Sequence, residues 1–317
     1  MSELASSPGT EDLAEGTRVE AAQAAALTVA RAHGVAADEA ALLHDGVNVV
    51  VHLQPAPVVA RVATLTPLLR PAVHRPFSRE IALAGALAAA GAAVAAGAAV
   101  VPSSDLLPPG PHQHDGLTLS FWRFVEVLPD TPTPAQAGAA LGELQAALAE
   151  VDPGWDGGPL DTPLDDLAVF AERGVALGAD PAQLAAVAEL TGRLRPLLHG
   201  DVGFLHGDTH PGNLLATPGG WRWTDLEDTS RGPRGWDVAC LRATSRLDGR
   251  AAVDALPDPM TDAELAPFSW LRRLHISAWW FVHAARGPAD LAAAHDRLAS
   301  AVEHVSAGLR GRRQGPA

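Results

Sequence analysis

"HGDVGFLHGDTHPGNLLATPGGWRWTDLED", residues 199–228, holds the tripeptide His-Gly-Asp twice, and the residues downstream of each copy tell the two apart. After Asp208, an apolar run opens at Asn213, "TPGG" makes a turn, and "WRWT" leads into Asp225, which is the pattern of a β-hairpin. With Thr217 to Gly220 as the loop, Ala216 lies opposite Trp221 and Asn213 opposite Thr224. The amide of Asn213 and the carboxylate of Asp225 then reach the same open end. Both offer hard oxygen donors of the kind Mg²⁺ takes beside water and substrate phosphates. Asp208 stands five residues before Asn213, across a Pro-Gly turn, near enough to orient a substrate hydroxyl. Asp201 is followed at the same distance by His206 and has no partner amide. The second copy is therefore the candidate site.

The chain around it has 317 residues, enough for two lobes that each bury a core. A formal charge of -14 argues against a nucleic-acid partner, which would need a basic stripe. Cys240 is the only cysteine, so no intrachain disulfide forms and a reducing, cytoplasmic setting is expected. Residues 1–16 are acidic and polar, unlike a signal peptide, and read as a disordered lead-in. Residues 309–317, with Arg310, Arg312 and Arg313 among glycines, read as a frayed tail. The uncharged run from Ile81 to Val101 has the length of a membrane span, but it is mostly Ala and Gly. Glu80, Leu83 and Leu87 share one helical face at its start. A helix ending at Gly91, then a short strand near Ala98, accounts for it without a membrane.

A coarse reading places a helix at Val19–His33, strands at Asn48–Leu53 and Val58–Ala63, and a helix from about Ser78. A strand at Leu117–Val127 comes next. Helices are expected at Pro134–Ala149, Asp165–Leu177, Pro181–Leu198 and Asp262 to about Ala285. Strands first and helices later is an α+β order. The proline-rich "VEVLPDTPTP", residues 125–134, is the expected connection between lobes, dividing 17–126 from 127–308. The sequence carries no signal for an oligomeric state.

"HGDTHPGNLL" with "TDLED" after it resembles the catalytic loop and metal-binding aspartate of the aminoglycoside phosphotransferase family. The resemblance implies a protein-kinase-like two-lobe fold, with a small amino-terminal lobe of antiparallel sheet and one helix and a larger, mostly helical carboxy-terminal lobe. It implies Asp208 as catalytic base or hydroxyl-orienting group, with Asn213 and Asp225 holding Mg²⁺ on ATP. His206 would brace the loop, and Asp237 in "GPRGWDVACL" would match an aspartate that supports it from a following helix. Gly46 and Asn48 in "HDGVNVVVHL" match, in shortened form, the turn that covers the nucleotide phosphates. "VVARV" stands where these enzymes have a strand bearing the ATP-binding lysine. Here that position is Arg61, and the chain contains no lysine at all. A guanidinium is planar and longer than an ammonium, so the exchange is not conservative. Arg61 would hold phosphate oxygens and pair with Glu80.

Competing readings stay open. A zinc site from His206, His210 and Asp208 is the alternative to the metal pair. His112 and His114 read as a solvated loop, and Trp279, Trp280 and Phe281 as helix core or as an aromatic wall beside the substrate. The five aspartates between Val151 and Asp166 suggest an acidic wall for a polycationic aminosugar. A neutral sugar, an amino alcohol or another antibiotic is equally an acceptor under the resemblance. The function expected is a Mg-ATP-dependent kinase acting on a small-molecule hydroxyl. A catalytically weak nucleotide-binding protein is the alternative, because of Arg61.

Overall fold

The computed structural model describes residues 15–91, 99–286 and 288–314. Its amino-terminal part pairs five antiparallel strands in the order β1-β2-β3-β5-β4: β1 (Glu39–Asp45), β2 (Asn48–Gln54), β3 (Val58–Ala63), β4 (His112–His114) and β5 (Leu117–Arg123). Successive side chains in a strand point to opposite faces. Val49, Val51, Leu53, Ala60 and Val62 therefore turn one way, where they form a core with Ala22, Ala26 and Val29 of helix α1 (Glu15–Ala32). Arg61, one residue out of phase, turns the other way, toward Phe77 and Glu80 on helix α2 (His74–Gly91). This alternation delivers a buried cation to the site. Two helices thus flank the sheet, α1 where a helix was expected at Val19–His33 and α2 where one was expected from about Ser78.

The carboxy-terminal part is mostly helical: α3 (Pro134–Ala149), α4 (Asp161–Arg173), α5 (Pro181–Leu194), α6 (Gly235–Arg242), α7 (Gly249–Asp254), α8 (Asp262–Ala284) and α9 (Pro288–Gln314). Thr133 and Gln136 cap α3 reciprocally, as Thr261 and Glu264 cap α8. Two small antiparallel pairs lie among these helices. β6 (Val202–Leu205) pairs with β9 (Ser230–Pro233), and β7 (Leu214–Thr217) pairs with β8 (Gly220–Trp223). The hairpin register is the one the sequence predicts, with Ala216 opposite Trp221. The N–H of Thr224 donates to the carbonyl of Asn213 at 2.9 Å. Trp223, fully buried, donates its indole N–H to the carbonyl of Ala140 at 3.1 Å. Residues 99–101 bond the other side of Trp223, so the hairpin is clamped between them and α3.

Several expectations change. The tail expected to be disordered from residue 309 is helical to Gln314, because Ala294, Leu298, Ala301, Val305 and Leu309 recur at helical spacing and are buried. The lead-in gives way to α1 at Glu15, and residues 1–14 lie outside the described residues, as do the strand expected near Ala98 and residues 315–317. His112 and His114 belong to β4 rather than a loop, and His112 packs edge-on against Phe121. β1 was not anticipated at all. No helix among the described residues is long and apolar enough to cross a membrane.

Candidate active site

β6 ends at Leu205 and delivers His206, Gly207 and Asp208 to a loop that α6 holds from below. The carboxylate of Asp237, completely buried, accepts the N–H of His206 at 3.0 Å and that of Gly207 at 2.8 Å. The Thr209 hydroxyl donates to the Asp237 carbonyl at 2.5 Å, and the Trp236 indole donates to the Gly207 carbonyl at 2.8 Å. Gly207 has φ +95°, and a Cβ there would meet the Asp228 carbonyl oxygen at 2.1 Å. Gly207→Ala should therefore destabilise the fold by about 2 kcal/mol or more, read as a lower denaturation midpoint, since neither the backbone conformation nor the space admits a side chain.

His206 spends both ring nitrogens locally: Nδ1 accepts the N–H of Asp208 at 3.2 Å and Nε2 donates to the Thr224 carbonyl at 3.1 Å. It therefore ties the loop to the end of the hairpin and has no nitrogen left for a metal. Among the described residues, no group of three or more His, Cys, Asp or Glu side chains is arranged to hold a metal, which removes the zinc alternative. The first copy, His199 to Asp201, lies exposed ahead of β6.

Asp208 is 23% exposed and faces three partners. Arg272 of α8 donates to Oδ1, while His210 Nε2 and Asn213 Nδ2 each lie 3.3 Å from Oδ2. Burial by itself would raise its pKa, but Arg272 foremost, then His210, hold the carboxyl well below the usual range. The Asn213 amide nitrogen also donates to the Asp208 carbonyl at 2.9 Å, which leaves the amide oxygen for another ligand. Asp225 stands at the mouth of the hairpin with φ +63° and its carboxylate 43% exposed. Arg61 Nη1 lies 2.5 Å from its Oδ1, and Arg61 Nη2 donates to Glu80. The second Glu80 oxygen accepts the N–H of Leu226 at 3.0 Å. Glu80 thus holds both the cation and the backbone that carries Asp225. The donor set fits a hard divalent ion: one exposed carboxylate and one oriented amide oxygen at the same end of a hairpin.

The amide of Asn48 does not face an open cleft. It is buried, donating to Glu227 at 2.6 Å and accepting from Thr66 at 2.8 Å, and it serves as a strut between β2 and the segment after Asp225. Gly46 donates its N–H to the Asn48 carbonyl at 3.0 Å, and its own carbonyl accepts from Arg286 beyond α8.

Sequence reasoning missed the buried charges beneath the site. Arg70 pairs with Asp166 at 2.6 Å, Asp228 at 2.6 Å and Glu227 at 3.3 Å, and lies over the Trp279 ring. Burial pushes Glu227 up to about 7 despite Arg61 and Arg70. His275 joins Asp166 at 2.8 Å to Arg272, whose Nη1 lies 3.5 Å from its other nitrogen. Arg272, His275 and Trp279 are spaced i, i+3, i+7 on α8, so polar residues interrupting an apolar helix face were the available signal.

Three of the five aspartates expected to form an acidic wall are instead paired with arginines from outside the segment. Asp166 is buried against Arg70, Asp161 pairs with Arg79 at 2.7 Å, and Asp156 with Arg231 at 3.3 Å. Burial opposes ionisation of Asp166, yet Arg70 and His275 bring its pKa down to about 2. A depressed pKa contributes stability that is present above the unfolded value near 3.8 and is lost as pH falls through the folded value. Asp166→Asn should cost roughly 3 kcal/mol at neutral pH, because Arg70 would lose the buried carboxylate that it engages through both Nε and Nη2. Urea titrations at a series of pH values should find the difference from wild type shrinking between about pH 4 and pH 2.

Asp208, Asp225, Arg272, Trp279 and Trp280 line one cleft of about 430 Å³. Phe281 is buried in the core, so the tryptophans form a wall and the phenylalanine does not.

Residues 48–258 match the phosphotransferase enzyme family. An amicoumacin kinase solved with AMP-PNP and Ca²⁺ superposes with a TM-score of 0.62 at 13% identity, covering 90% of this chain and 95% of its own. A choline kinase from Streptococcus pneumoniae gives 0.57 at 14% identity, covering 88% and 99%. The GDP complex of an aminoglycoside 2′-phosphotransferase gives 0.56 at 13% identity, covering 89% and 99%. These likenesses show a kinase-like fold. No curated protein matches the sequence.

Proposed function

The chain belongs to the phosphotransferase enzyme family, and from that premise we propose that it moves the γ-phosphoryl group of ATP to a hydroxyl of a small molecule. The observation that carries this reading is the convergence of Asp208, Asn213 and Asp225 on one loop and one hairpin end, braced by Asp237. Asn213 and Asp225 hold Mg²⁺, which when bound neutralises charge on the nucleotide phosphates. Arg61 replaces the usual lysine at the phosphates, and the backbone of the turn at Gly46 covers them. His206 and Asp237 keep the loop in place.

Asp208 accepts a hydrogen bond from the acceptor hydroxyl and aims its oxygen at the γ-phosphorus. The acceptor oxygen–phosphorus bond forms as the bond to the β-phosphate oxygen breaks, and ADP leaves. Held ionised by Arg272, Asp208 is a weak base, so the hydroxyl proton reaches it late, once the oxygen has bonded to phosphorus. Positioning is the larger part of its work.

A second reading, a weak nucleotide-binding protein, is favoured by one observation: Arg61 is already committed to Asp225. Steady-state ATP consumption in the wild type and in Arg61→Lys and Arg61→Ala separates the two. We expect turnover in the wild type, and a KM for ATP raised roughly tenfold in Arg61→Ala with a smaller change in kcat. Absence of Mg²⁺-dependent turnover in the wild type, restored by Arg61→Lys, would favour the second reading. An unchanged KM in Arg61→Ala would remove Arg61 from the phosphate site.

A further inference from the structure

The wall of the cleft away from Asp225 is built unlike a polycation site. α8 contributes Ile276, Trp279, Trp280 and His283, and the connection from α6 to α7 contributes Thr244 and Arg246. Every carboxylate that lines the cleft already faces an arginine: Asp208 faces Arg272, Asp225 faces Arg61, and Glu227 and Asp228 face Arg70. The tryptophans have their cations too. Arg70 lies 4.8 Å from the ring centre of Trp279, and Arg297 lies 4.0 Å from that of Trp280. Burial, with Arg286 beside it, lowers the pKa of His283 and favours its neutral form.

Arg246 is the exception. No carboxylate among the described residues pairs with its exposed guanidinium. It is nevertheless placed: a Cβ on Gly212 would stand 3.3 Å from its Cζ, so it sits over the turn that carries His210 and Asn213. The Thr244 hydroxyl accepts its backbone N–H at 3.1 Å and shapes the connection. An arginine over the catalytic turn, with no acid to balance it, matches a planar anion through two parallel hydrogen bonds.

We infer that the acceptor is a hydroxylated small molecule bearing a carboxylate and an apolar ring, with the carboxylate held by Arg246 and the ring against Trp279 and Trp280. The inference rests on the phosphotransferase reading of the same cleft. Arg246 is then a specificity-determining residue, and a polycationic aminosugar is a poor acceptor.

The test uses 4-(2-hydroxyethyl)benzoate, its methyl ester and kanamycin, with the full chain in wild-type form and as Arg246→Gln and Arg246→Glu. Equilibrium binding of each probe is measured by NMR titration in the presence of Mg²⁺ and a non-hydrolysable ATP analogue. Phosphoryl transfer and acceptor-free ATP hydrolysis are measured in parallel with ATP. The wild type should bind the acid roughly tenfold or more tightly than the ester, as a charge-assisted pair requires. Arg246→Gln should abolish that preference while leaving ester binding unchanged, and Arg246→Glu should shift preference toward kanamycin. No binding of the acid, equal binding of acid and ester, or tighter binding of kanamycin by the wild type would overturn the inference. The two readings fail separately. ATP consumption with kanamycin preferred leaves the phosphotransferase and removes the anion site, whereas Arg246-dependent binding of the acid without ATP consumption does the reverse.

Discussion

Asp208→Asn is expected to lower kcat for phosphoryl transfer by about a thousandfold while nucleotide affinity stays within a factor of about two. The partners of the carboxylate are Arg272, His210 and Asn213. Only Asn213 is proposed to reach the nucleotide, through Mg²⁺, and its amide stays oriented because its nitrogen also donates to the Asp208 carbonyl at 2.9 Å. An amide keeps the shape and can still accept one hydrogen bond, but it has neither the charge nor the basicity to receive the hydroxyl proton. Asparagine is the better test than alanine because its amide oxygen can still accept a hydrogen bond from the buried Arg272, although either variant removes the balancing charge and should lower stability by about 3 kcal/mol. A circular dichroism melt and a nucleotide titration on the same sample separate loss of chemistry from loss of fold. Turnover near wild type would remove Asp208 from the mechanism.

Asp225→Asn should be nearly as damaging for a different reason. It removes the one exposed anion from the metal pair, so turnover should fall by about a hundredfold or more, and nucleotide binding should cease to depend on Mg²⁺. Asparagine tolerates the left-handed backbone at this position, where φ is +63°, better than alanine would. Stability should change little, because the carboxylate is 43% exposed and Arg61 keeps Glu80. Isothermal titrations of nucleotide with and without Mg²⁺ provide the check. Retained metal dependence would move the metal elsewhere.

The candidate site was legible because its residues sit within one local pattern. Asp208, Asn213 and Asp225 lie on a loop and a short hairpin whose register is set by one turn. Glu80 was legible as an acidic residue on an apolar helix face, which calls for a partner. The network beneath the site was not, since its pairs join distant residues: Arg70 to Asp166, Asn48 to Glu227, and Asp208 to Arg272. No periodicity announces such pairs. β1 escaped notice because it is an edge strand with exposed Leu42 and Leu43 and no clean alternation. α9 escaped because alanines make up much of its buried face, so its hydrophobic contrast is weak. The acidic segment misled because composition cannot distinguish a paired, buried aspartate from a solvated one, and Asp161 and Asp166 are paired.

Transfer of a γ-phosphoryl group is proposed to need Asp208, Asn213 and Asp225 together. Its most direct test incubates the wild-type chain with ATP labelled in the γ-phosphate, Mg²⁺ and a panel of hydroxylated acids, sugars, amino alcohols and antibiotics, with Asp208→Asn as the control. A labelled organic phosphate should form only with the wild type and only while Mg²⁺ is present. Label transferred equally by Asp208→Asn, or transferred with Mg²⁺ removed by chelation, would contradict it.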